Sequence, residues 1–89
     1  MSYLKFDLGS RADGDVVQVT LQGTEANVFL VNETGLHAYE SHRQFRYWGG
    51  HFRRSPVILQ VPYAGTWYVV VDLGGGAGRV EAAVQVLAA

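Results

Sequence analysis

Short runs in which every second residue is apolar recur along the whole chain, and a repeat of two belongs to an extended strand, not to a helix. Residues 16–22 set Val17, Val19 and Leu21 on one side and Gln18, Thr20 and Gln22 on the other. Upstream, Leu4, Phe6 and Leu8 alternate with Tyr3, Lys5 and Asp7, and the turn-forming stretch 9–15 joins these two strands. Residues 26–31 carry apolar side chains on both faces, which suits a central strand covered on each side or one with an irregular edge. Val57, Leu59 and Val61 alternate with Ile58 and Gln60 before Pro62-Tyr63-Ala64-Gly65 turns the chain. Residues 66–73 place Trp67, Val69, Val71 and Leu73 on one face and Thr66, Tyr68, Val70 and Asp72 on the other. A last strand is expected over 79–87, with Val80, Ala82, Val84 and Val86 in register and a helix as the alternative.

About seven or eight short strands, with turns every eight to twelve residues, predict an all-β antiparallel sandwich with a jelly-roll-like path. No segment demands a helix. At 89 residues the chain has room for one core, so residues 1–89 are expected to form a single domain. Hydrophobic residues at 48% against 17% charged exclude a disordered, solvating polymer. The absence of Cys closes disulfide scaffolds, thiolate zinc sites and thiol catalysis. The start is charged early, at Lys5 and Asp7, and no window approaches the roughly 18 apolar residues of a membrane span, so a cytoplasmic, membrane-free protein is expected.

Motifs that carry chemistry are sparse. Gly74-Gly75-Gly76-Ala77-Gly78 follows a strand, as a phosphate-cradling turn does, but its glycine spacing departs from the dinucleotide pattern and only 11 residues follow it. The expected reading is a hairpin connection. His37, Glu40 and His42 lie close in sequence, and His51 can approach them, yet no histidine pair has the i, i+4 spacing of a helical metal site. Ser55 lies between Arg54 and Pro56 with no nucleophile elbow around it. Asp7, Asp13, Asp15 and Asp72 fall at turns and strand ends, where Asp accepts backbone hydrogen bonds. The expectation is therefore no enzyme, no catalytic residues, no metal and no cofactor.

Charge is more informative. Residues 1–40 hold six carboxylates against Lys5 and Arg11, whereas 41–71 hold Arg43, Arg46, Arg53 and Arg54 with no acid. Gly49-Gly50 tolerates positive φ at both positions and suits a two-residue hairpin turn. Such a turn opposes Trp48 to His51 and Arg46 to Arg53, bringing Arg46, Trp48, His51 and Arg53 to one solvent-facing side. Two opposed guanidiniums need a counter-charge. Either the acidic first half folds against them, or a protein partner or small anionic ligand docks on this Arg/Trp surface. A net charge of −1 disfavours nucleic acid.

Gly14-Asp15-Val16-Val17, Tyr47-Trp48-Gly49-Gly50-His51, Ser55-Pro56-Val57, Trp67-Tyr68-Val69 and Asp72-Leu73-Gly74-Gly75, in this order, resemble the bacterial domain of unknown function 1883 family over nearly the whole chain. The resemblance implies a jelly-roll-like sandwich similar to CUB and collagen-binding domains, found alone or joined to a TIR domain. It implies no catalytic residue and no cofactor. The functional expectation is a non-enzymatic interaction module acting through a protein partner or self-association, in a setting linked to TIR-type signalling or defence. The alternative is a binder of a small anionic ligand, nucleotide or glycan.

Overall fold

A computed structural model describes residues 3–74 and 78–88. Among these residues seven strands and one helix follow in the order β1 (Tyr3–Arg11), β2 (Val16–Gly23), β3 (Ala26–Asn32), α1 (Glu33–Glu40), β4 (Trp48–Phe52), β5 (Val57–Gln60), β6 (Gly65–Asp72) and β7 (Val80–Leu87). They form two antiparallel sheets, β1-β6-β3-β4 and β5-β2-β7, packed face to face as an all-β sandwich. Among the strands only β3 and β4 are both consecutive and paired. Every other connection carries the chain from one sheet to the other.

The period-two pattern sets the core. Val17 and Val19 from β2, Val57 and Leu59 from β5, and Trp67, Val69 and Val71 from β6 are buried between the sheets with Val28 and Leu30 of β3. Each such side chain contributes about 1.5–3 kcal/mol by leaving water. Trp67, fully buried, keeps its indole N–H paired with the Tyr63 carbonyl at 2.9 Å. The expected turn over 9–15 begins later: β1 runs on to Arg11 through an irregularity between Asp7 and Gly9. Gly9 has φ 69°, and its N–H donates to Asp7 Oδ1 at 2.8 Å, the geometry of a bulge. Of the glycine-rich connection, Gly75, Gly76 and Ala77 lie outside the described residues.

Helix α1 is the little helix that an all-β expectation leaves room for, in a stretch where no segment demanded one. Asn32 caps it, its Oδ1 accepting the Gly35 N–H at 2.7 Å. At the other end the Arg43 N–H reaches the Ala38 carbonyl at 2.9 Å and the His42 N–H reaches that of Tyr39 at 3.1 Å, the paired bonds of a Schellman ending. His42, with φ 58°, holds the left-handed position usually given to Gly or Asn. The helix lies on the outer face of the four-stranded sheet, where Leu36 packs with Phe29, Val31 and Val70. Strand β3 is therefore covered on both sides, the first of the two readings its sequence allows.

The Gly49-Gly50 hairpin is overturned. Trp48–Phe52 is one continuous strand, with Gly49 opposite Phe29 and Gly50 opposite Val28. Gly49 has φ 147°, and a Cβ there would stand 2.2 Å from the Val28 carbonyl oxygen. Glycine marks a close approach of two backbones here, not a reversal of the chain. Among the described residues no helix is long and apolar enough to cross a membrane.

Candidate functional site

The register of the four-stranded sheet builds one polar row on its outer face. Tyr3 pairs with Asp72, Asp72 with Asn27 and Asn27 with His51, so four adjacent strands contribute one residue each. Side chains link along the row. Asn27 Nδ2 donates to Asp72 Oδ1 at 2.9 Å, which leaves Asn27 Oδ1 to accept from His51 Nδ1 at 2.9 Å. His51 Nε2 lies 3.3 Å from Glu25 Oε1, and Arg53 Nε lies 3.1 Å from the other oxygen of that carboxylate.

Above the row stands the connection from β3 to β4. It contributes Tyr39 from α1 and Phe45 and Tyr47 from the arm that follows, and all three rings pack around Phe29 with centroids 5.5 Å from its own. Between these rings and the polar row lies a cup of about 400 Å³, floored by Asn27, His51 and Asp72 and bordered by Gly50. That volume falls within the range of small-ligand sites. Tyr47 is 52% exposed and forms the outermost wall.

Asp72 is the hinge of the arrangement. Only 6% exposed, it accepts from the Gly74 N–H at 2.9 Å and from the Tyr39 hydroxyl at 2.7 Å in addition to Asn27. Burial, and then the hydrogen bond to Asp72, push the Tyr39 hydroxyl well above its ordinary value, so it stays a donor. At the far end of α1, Glu40 accepts from the Tyr3 hydroxyl and lies 3.6 Å from Lys5 Nζ. Those contacts, the Tyr3 hydrogen bond first, hold the Glu40 carboxyl below the usual range, and the same bond raises Tyr3.

A family model described as Domain of unknown function (DUF1883) matches residues 1–89. The chain belongs to the DUF1883 family. No curated protein and no solved structure matches this DUF1883 domain. The family match carries no activity with it, so the site rests on geometry alone.

Measured against that geometry, the expected surface of Arg46, Trp48, His51 and Arg53 is not one surface. With no hairpin turn between them, Trp48 and His51 fall on opposite faces of β4. Trp48 packs against the core, edge-on to Trp67 at 5.2 Å and to Tyr63 at 5.9 Å. Arg46 is exposed before β4, its guanidinium carbon 6.0 Å from the Trp48 ring centroid. His51 and Arg53 instead meet Glu25, so the acidic first half of the DUF1883 chain supplies the counter-charge for this arginine. Among the described residues no three His, Cys, Asp or Glu side chains converge as metal ligands. Ser55 accepts the Leu21 N–H at 2.8 Å.

Sequence reasoning missed Asn27, Asp72 and the aromatic walls as a group. One signal was present. Asn27 shares its parity with Phe29 and Val31, and Asp72 with Tyr68 and Val70, so each puts a polar group at the end of an otherwise apolar outward face.

Proposed function

We propose that this domain is a non-enzymatic interaction module that works through the outer face of its four-stranded sheet. The observation that carries the reading is the cup of about 400 Å³ between the Phe45–Tyr47 arm and the Asp72–Asn27–His51 row. Ordinary sandwich packing does not require an arm that leaves Tyr47 half exposed beside a polar floor. A binding role, not a catalytic one, is supported by the lining. Among the described residues no serine or threonine borders the cup, and Tyr39, Asp72, Asn27 and His51 are already engaged with one another. A protein partner is the proposed ligand, with residence inside the cell. In a TIR-linked setting this module would be the recognising half.

The test is a ¹⁵N–¹H titration of the labelled domain with a panel of short peptides, nucleotides and sugars. Shifts concentrated on Asn27, Phe29, Gly50 and His51 are expected with at least one peptide. Shifts confined to the β5-β2-β7 sheet, or none with any compound, overturn the reading, as does turnover of a panel member.

A further inference from the structure

Resting on the outer-face reading, we infer that the cup receives a guanidinium, the side chain of an arginine on a partner polypeptide. Charge decides first. Asp72 is almost wholly buried, and among the described residues it has no ion pair with Lys, Arg or His. Its three donors, from Asn27, Gly74 and Tyr39, are all neutral. A carboxylate offers about four lone-pair positions, so the described residues leave one for a ligand. His51, the other ionisable group of the floor, shares the single carboxylate of Glu25 with Arg53, so among the described residues Asp72 is the one carboxylate that faces the cup. An anionic ligand in the cup would bring a second negative charge to the buried Asp72 carboxylate, whereas a cation would supply the ion-pair partner it lacks among the described residues.

The walls decide next. Phe45 and Tyr47, with centroids 5.3 Å apart, form an aromatic border that an organic cation stacks on favourably. Guanidinium suits this border better than ammonium because it is planar, weakly hydrated and able to stack while donating in its own plane. At about 400 Å³ the cup also has room for the apolar stem of the side chain. Delivery is provided by β4, an edge strand whose residues Gly50 and His51 border the cup. An extended peptide added along that edge sets alternate side chains over the outer face.

The probes are acetylated, amidated pentapeptides with one central residue: arginine, lysine, glutamate or citrulline, the last matching arginine in shape without its charge. Titration into the ¹⁵N-labelled domain should move Gly50 and His51 with the arginine peptide, and citrulline should bind at least about tenfold more weakly. Asp72→Asn should bring the arginine peptide down to the citrulline level. Tyr47→Leu, at an exposed position, should weaken arginine binding by about threefold or more with the floor intact. Equal binding of arginine and citrulline at the cup, or full arginine affinity in Asp72→Asn, sinks the guanidinium inference and leaves the outer-face reading standing. Peptides that all leave the cup amides unmoved sink both.

Discussion

Phe29 on β3 and Gly49 on β4 are register partners, and the Phe29 Cα stands 2.7 Å from the place a Cβ would take at position 49. Gly49→Ala therefore meets backbone, not a flexible side chain, and must also hold a φ of 147°. A cost of about 3 kcal/mol is expected, enough to lower the melting temperature by more than 10 °C at roughly 4 °C or more per kcal/mol. Gly50→Ala is the control. A Cβ there meets nothing within 4 Å, so thermal unfolding should be near that of the wild type.

Tyr39→Phe removes the hydroxyl that Asp72 accepts. A hydrogen bond to a charged group is worth about 1.5–3 kcal/mol, and a loss of that order is expected in urea unfolding at neutral pH. The pH dependence is more telling. Because the Tyr39 value is raised on folding, its contribution is complete below the unfolded tyrosine value of about 10 and is lost as pH rises beyond it. The wild type should therefore weaken above about pH 10, and Tyr39→Phe should show a shallower decline. Equal slopes would remove Tyr39 as the cause.

At acid pH the sign reverses. Glu40 is lowered on folding, so its contribution is present above the unfolded carboxylate value of about 4.3 and is lost as pH falls through the lower folded value. Glu40→Gln should flatten the loss of stability below about pH 4 and leave the neutral-pH spectrum unchanged. Denaturant midpoints at a few pH values between 2 and 7 would check this.

Asn32→Ala deletes the α1 cap and the bond from Asn32 Nδ2 to the Tyr63 hydroxyl at 2.8 Å. About 1 kcal/mol of destabilisation is expected from the cap. Amide exchange should quicken first in α1, with the β2–β7 ladder still protected. Uniform quickening would show that the helix is not a separate unit.

Strand parity was legible because each period-two run reports which of its own residues face inward. Trp67, Val69 and Val71 needed no partner to be identified as core. The helix was not legible in the same way. It has eight residues, buries chiefly Leu36, and ends on His42 where a glycine would have announced the stop. Gly49-Gly50 misled because local turn chemistry and a close interstrand approach ask for the same residue. The cup was hidden for a further reason. Asp72, Asn27 and His51 are neighbours only through the register of β6, β3 and β4, which no local pattern reveals. The charge segregation was readable in kind, since an early acid does meet a late arginine, but the pairing of Glu25 with Arg53 was not.

The repeated crossing between sheets binds the two ends of the polypeptide to a common fate. Were the backbone severed between β4 and β5, the first piece would keep only the β3–β4 ladder, and the second, holding β5, β6 and β7, would keep none. Neither piece contains a whole layer, so each can become ordered only by finding the other. Fragments of this domain should behave as complementary halves, silent when separate and structured once mixed.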